Sequence, residues 1–406
     1  VEDGGRHLIG WGFSPDSGIT ISHQDTVTGA ITPVPQLPDL DPTALILLGR
    51  TRRPIAVSYE QGETMRLVPL SPALAPAIER MQKQFAGYTT RIMDTMPDGK
   101  TWLLWIGNSC LPGAYVLFNH ETSASTVLAF SHDKALTEDR FAPGEYFTFP
   151  RRDGGRLSAR LWRPREIAQP PLIVMCPGEL PTRIVRDLFD ADVQAFVAQG
   201  FAVLQTNTRN SWAFGKQGRQ LPQTQWIGSL QEDMEDAVKK LTDKKIVDGS
   251  RVTLFGDRFG AVLTLQVAAR STRFSAVATV NVPREIHRDD LIYLSPQLGS
   301  NPLAAKLGGW FASEKFAKEL SPILVVPNLP IPALYFHNED SIRGRPIETG
   351  RDIAAAAKKA KAPARTAIAY SWSQYRKPPT KVAQESAEIS FKTATFFNEV
   401  AAGTVK

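Results

Sequence analysis

Between Phe255 and Ala261 the chain reads Phe-Gly-Asp-Arg-Phe-Gly-Ala, joining a short apolar run, Arg251-Val252-Thr253-Leu254-Phe255, to an apolar helical stretch from Ala261 to Ala269. A strand that turns sharply into a helix exposes the residue midway between two small ones. With Ser at that point the turn is the elbow of a nucleophile that attacks carbonyls. The flanking residues must be small because the strand and helix backbones approach closely there. Gly256 and Gly260 meet that need, but the central residue is Arg258. A guanidinium remains protonated and cannot attack a carbonyl. Its chemistry is anion recognition, such as a grip on a peptide C-terminus or another carboxylate. Shifting the register to make Asp257 the nucleophile would put Phe255 and Phe259 at the two small positions, which the turn does not accept. Cys176, near the end of another apolar run, offers a thiol nucleophile, against which stands a buried structural cysteine. His7, His23, His120, His132 and His287 are spaced in no metal-binding pattern. Neither a metal nor a cofactor is expected. Ser211 and Ser250 sit in turn-like contexts, where capping accounts for them.

The elements that must position this elbow fall into two patterns. Up to about residue 145 the chain is β-rich, with short apolar runs such as Thr43–Leu48 and Pro54–Tyr59 between turn signals. Two turn segments look alike: Pro15-Asp16-Ser17-Gly18 before Ile19-Thr20-Ile21, and Pro97-Asp98-Gly99 before Lys100–Trp105. Pro15 and Pro97 are 82 residues apart (97 minus 15), close to two propeller blades of about 40–45 residues each. A closed propeller needs about four to eight blades, and this stretch holds about three. With Val1 rather than Met at its start, the chain is read as an N-terminally truncated, incomplete propeller.

A hinge is expected at Arg151-Arg152-Asp153-Gly154-Gly155. Beyond it strands and helices alternate, as in a parallel sheet. Strands are expected at Pro171–Cys176, Phe201–Gln205, Arg251–Phe255, Ser275–Val280, Pro332–Phe336 and Arg365–Tyr370. Helices are expected at Asp190–Gln199, Gly228–Asp243 and roughly Lys381–Val400. The expected architecture is α/β: a C-terminal α/β-hydrolase domain with a doubly wound, mostly parallel sheet (residues 146–406), preceded by the partial propeller (residues 1–145).

Composition narrows the classes of function. Hydrophobic content of 42% and charge content of 22% are those of a globular protein. No apolar run approaches the roughly 20 residues of a membrane span. The net charge of +6 is scattered, with short clusters only at Arg50–Arg53 and Lys358–Lys361. These read as solvated faces rather than a nucleic-acid surface. Cys110 and Cys176 form neither a disulfide framework nor a metal motif.

In its hydrolase half the chain resembles the prolyl oligopeptidase family of serine peptidases, in its acylaminoacyl-peptidase-like and dipeptidyl-peptidase-like branches. The resemblance is carried by Arg186-Asp187-Leu188-Phe189-Asp190 with Val193-Gln194, by Gln199–Asn207, by Gln225-Trp226-Ile227-Gly228 before Asp233–Val238, and by Arg251-Val252 leading into the elbow. It implies a propeller covering a hydrolase site and filtering peptide substrates.

The departures from the family's pattern are equally systematic. The nucleophile position holds Arg258. His337 matches a His that precedes the family's acid by four positions; Ser341 stands at that fourth position, with Asp340 one step early as a slipped acid. The loop after the last strand, where the triad His belongs, contains Gln374 at about the His position, and no His follows His337. The oxyanion segment reads Pro177-Gly178-Glu179-Leu180. Pro177 lacks an N–H, and Glu179 puts a negative charge where an oxyanion should be stabilised; Phe259 would supply the second oxyanion amide. Loss of nucleophile, base and oxyanion hole together points to a catalytically inactive member, a peptide-binding or partner-regulating module with oligomerisation left open. The alternative is an active serine-type peptidase or esterase using a non-standard site. For Arg258 the bland alternative is an internal ion pair with Glu179, Asp340 or Asp257.

Overall fold

A computed structural model describes the chain except for residues 1–5, 15–17, 35–36, 38–39, 41, 49–52, 62–63, 134–135, 177–184, 210, 212–224, 288–312, 339–347, 361–363, 371–378 and 405–406. It divides into two compact units. The first comprises Val1–Pro143, Arg186–Asp190 and Ser211–Gln220, and the second the remainder from Gly144.

In the first unit, short runs with turn residues between them form three successive antiparallel meanders. The first contains β1 (His7–Ser14), β2 (Gly18–Asp25) and β3 (Ile31–Pro33). The second contains β4 (Pro42–Leu48), β5 (Arg53–Gln61) and β6 (Thr64–Pro69). The third contains β7 (Thr89–Thr95), β8 (Thr101–Gly107), β9 (Ala114–Asn119) and β10 (Ser125–Phe130). These are sheets of the propeller-blade type. Both Pro-Asp turn segments fall between the first two strands of a sheet, two sheets apart. The second turn is held by Asp98 Oδ1, which accepts from the amides of Lys100 and Thr101 at 2.9 Å, with Gly99 at φ +67°.

Helix α1 (Ala75–Gln84) follows the second sheet and buries Ala77, Ile78 and Met81. They join Ile55 and Leu67 of the second sheet and Trp102, Leu104, Val116 and Phe118 of the third in one core. Ile21, Val34, Val57 and Tyr59 form a second core between the first two sheets.

The second unit is built on one eight-stranded sheet. Its strands are β11 (Glu145–Pro150), β12 (Arg156–Trp162), β13 (Leu172–Met175), β14 (Ala202–Thr206), β15 (Val252–Asp257), β16 (Val277–Val280), β17 (Ala333–Asn338) and β18 (Ala364–Tyr370). The order is β11-β12-β14-β13-β15-β16-β17-β18. The β11–β12 and β12–β14 pairs are antiparallel and all others parallel. Helices α2 (Ala191–Ala198), α3 (Trp226–Asp243), α4 (Phe259–Ala268), α5 (Glu314–Leu320), α6 (Glu348–Lys359) and α7 (Pro379–Ala401) intervene or follow. This is the α/β-hydrolase pattern. Gly200, at φ +90°, stops α2 where a left-handed residue is needed.

One expectation is corrected. Arg151–Gly155 is the turn of the β11–β12 hairpin and not a hinge: the Arg151 amide donates to the Gly155 carbonyl at 2.8 Å, and Gly154 supplies φ +93°. A polar, glycine-rich pentapeptide serves a tight turn as well as a linker, and the strands on both sides decide between them.

Candidate functional site

β15 runs through the middle of the large sheet and ends at Asp257, and α4 begins at Phe259. Arg258, the only residue between them, has φ 52° and ψ −114°. A side-chain-bearing residue at positive φ is strained by about 1–3 kcal/mol and persists only where the surroundings enforce it. Two features enforce it here. A Cβ on Gly256 would collide with Thr264 Oγ1 and the Gly260 carbonyl, so strand and helix meet only because position 256 has no side chain. Thr264 Oγ1 donates to the same Gly260 carbonyl at 2.7 Å, tying down the first turn of α4.

The Arg258 amide donates to the Val280 carbonyl, and the Asn281 amide to the Phe336 carbonyl, each at 2.9 Å. Asp257, Val280 and Phe336 are thus level on β15, β16 and β17, with Arg258, Asn281 and His337 at the next backbone positions, and β17 runs on to Asn338. Ligands of open α/β sheets bind at this end of the strands.

The Arg258 side chain is half exposed (50%), and its Nε lies 3.6 Å from Asp257 Oδ2. That is ion-pair range but beyond an ordinary hydrogen bond. Among the described residues, Asp257 Oδ1 is buried without a hydrogen-bond partner. Burial pushes the Asp257 carboxyl above its usual range, against smaller opposing pulls from Arg258 and the Asn281 side chain. The first turn of α4 contains no acidic residue. Phe259, as its first residue, carries an N–H with no partner inside the helix. The elbow therefore presents positive charge: a guanidinium together with the positive end of a helix dipole. A guanidinium at this point cannot act as a nucleophile.

Of the other site residues expected from sequence, Pro177, Gly178, Glu179, Asp340, Ser341 and Gln374 lie outside the described residues. Of the three ion-pair partners expected for Arg258, Asp257 is described and stands beside it. Phe259 is buried at the start of α4. Cys176 is also buried; its amide donates to the Phe255 carbonyl at 3.0 Å and its thiol faces Met234 Sδ at 3.8 Å. Burial pushes the thiol up to about 12, so it stays protonated and inert. Among the described residues no group of three or more His, Cys, Asp or Glu could hold a metal ion. Asn281, at φ 54°, was not singled out from sequence. Its only signal is an Asn directly after an apolar strand, a residue type that tolerates left-handed backbone.

A second arginine contrasts with Arg258. Arg209 donates from its amide, Nε and Nη2 to the fully buried Asp233 at 2.7–2.9 Å, and from its guanidinium to Asp153 and Glu232 at 3.1 Å. Its side chain is 11% exposed.

Residues 188–297 match the model of the prolyl oligopeptidase family. The chain is 25% identical over 206 residues to dipeptidyl aminopeptidase BIII of Pseudoxanthomonas mexicana, covering 48% of this chain and 29% of that protein. It is 23% identical over 242 residues to the uncharacterized peptidase YuxL of Bacillus subtilis (strain 168), covering 57% and 35%. The matches thus span about a third of the length of these curated relatives. Among solved structures, a puromycin-hydrolyzing peptidase of Mycobacterium tuberculosis superposes with a TM-score of 0.71 at 18% identity, covering 95% of this chain and 59% of that one. An acylaminoacyl peptidase of Pyrococcus horikoshii gives 0.68 at 16%, covering 97% and 62%. At these identities the structural likeness establishes the fold.

Proposed function

From a chain that carries the prolyl oligopeptidase family domain, we propose a catalytically silent member that binds a peptide or protein partner at its elbow instead of cleaving it. The observation that carries this reading is Arg258 at the nucleophile position, held at φ 52° with a half-exposed guanidinium. A serine there would attack; a guanidinium can only bind. The sequence supports the same reading, with no His after His337 to serve as base and with Glu179 in the oxyanion segment. Removing any one triad member leaves only residual catalysis from binding and the oxyanion hole, and here that hole is altered as well. A carboxylate such as a peptide C-terminus is the ligand class that suits Arg258 and the start of α4.

The test has two parts. The full chain is exposed to a fluorophosphonate probe and to aminoacyl and peptidyl reporters; no labelling and no turnover are expected, and Arg258→Ser is expected to remain silent. Turnover in either protein would restore the reading of an active peptidase with a non-standard site. Tripeptides with free C-termini are then compared with their amidated forms by thermal shift. Stabilisation by the free acids alone, lost in Arg258→Ala, is expected.

A further inference from the structure

The third sheet of the first unit has an unusual edge. β10 lies at one end of the order β10-β9-β8-β7 and, among the described residues, pairs only with β9. Every one of its six residues is exposed. Val127 and Phe130 pair with the buried Val116 and Ala114, so their side chains share the packed face, yet they remain 50% and 40% exposed. The strand overhangs its core. Leu128, 54% exposed, stands at a break in register between Val127 and Ala129.

Exposed large apolar side chains scattered singly are ordinary, whereas a contiguous patch marks an interaction surface. Val127, Leu128 and Phe130 stand together on β10, whereas Met93 lies on β7 at the opposite edge and Tyr115 on β9 pairs with Ala129. Sheets usually protect their edges with charge, proline, glycine or bulges. The other described edge strands comply. β1 contains His7, Gly10 and Gly12, β3 Pro33, β4 Pro42, β6 Arg66 and Pro69, β7 Arg91 and Asp94, β11 Glu145 and Pro150, and β18 Arg365. Among the described edge strands, β10 alone (Ser-Thr-Val-Leu-Ala-Phe) has no charge, histidine, proline or glycine, and its one device is the irregularity at Leu128.

A free edge of alternating N–H and C=O groups is complemented by another extended strand. We propose that β10 is an assembly surface that pairs antiparallel with β10 of a second copy of this chain. The lack of charge favours the identical strand as occupant. Two copies running antiparallel about a twofold axis near Val127 and Leu128 bring no like charges together and bury their apolar side chains on each other. The pairing would join two four-stranded sheets into one of eight strands, and the symmetry closes it at a dimer.

Sedimentation velocity on the full chain across a wide concentration range tests this. A reversible monomer–dimer equilibrium is expected. Val127→Lys, which sets like charges across the axis, is expected to weaken dimerisation by about tenfold or more. Mixing Val127→Lys with Val127→Glu is expected to restore a mixed dimer, which a misfolded variant cannot do; circular dichroism checks that each variant is folded. Three results would overturn the proposal: a wild-type chain monomeric throughout, a dimer undisturbed by Val127→Lys, or assembly that grows past the dimer with concentration.

Discussion

Arg209 and Arg258 are the same side chain under opposite conditions. Arg209 is almost enclosed, and its guanidinium donates to three carboxylates, one of them the fully buried Asp233. Arg258 is half exposed, and its one acidic neighbour among the described residues, Asp257, stands at 3.6 Å. The first pairing is architectural, since each partner neutralises a charge that the interior would not tolerate alone. The second is weak by geometry and by solvent screening. The lesson is that an arginine in a core position has to be judged by what saturates it, not by its location.

The largest effect that would sharpen the contrast is expected from Arg209→Ala. It leaves Asp233 buried without its counter-charge and should destabilise the second unit by about 3–5 kcal/mol in urea unfolding. A loss within the usual range for surface substitutions would put the two arginines in one class. Arg258→Gly should act in the opposite direction. It removes a side chain from a backbone conformation that glycine adopts freely, so a stabilisation of up to about 1 kcal/mol is expected. Destabilisation there would mean that Arg258 is saturated after all.

The smallest effect concerns pH. Burial raises the Asp257 carboxyl in the folded state, so the unfolded chain gives up its proton first as pH rises. Ionised Asp257 therefore weighs against folding at neutral pH, and the penalty fades as pH falls through the folded and then the unfolded pKa. Asp257→Asn is expected to have a slightly higher Tm than the wild type at pH 7, and the difference should vanish in acid. A lower Tm for Asp257→Asn than for the wild type at pH 7, with the gap closing in acid, would instead make Asp257 a firm partner of Arg258.

Much of this was legible in the sequence, for physical reasons. Each expected strand of the large sheet is a compact apolar run, and burial on both faces of a parallel sheet demands that composition. The elbow was legible because Gly256 has no alternative: any side chain there meets Thr264 and Gly260. The turn at Pro97-Asp98-Gly99 was legible because Asp98 and Gly99 supply the acceptor and the positive φ that such a turn needs.

What was not legible depends on neighbours distant in sequence. Arg151–Gly155 has linker composition, and its hairpin depends on β11 and β12 pairing with each other. The saturation of Arg209 needs Asp153, Glu232 and Asp233 brought together by the turn and by α3. The exposure of β10 is invisible locally, because Ser-Thr-Val-Leu-Ala-Phe would suit a covered strand equally well.

Helix α4 is buried on all sides, from Phe259 to Ala268. Burial of this kind favours slow exchange of its backbone amides, through opening of the surrounding unit rather than of the helix alone. Arg258 is therefore mounted on one of the stiffest parts of the unit. A carboxylate arriving there would meet a guanidinium whose anchoring backbone is already in its final position, so little of the binding free energy would be lost to ordering the receptor.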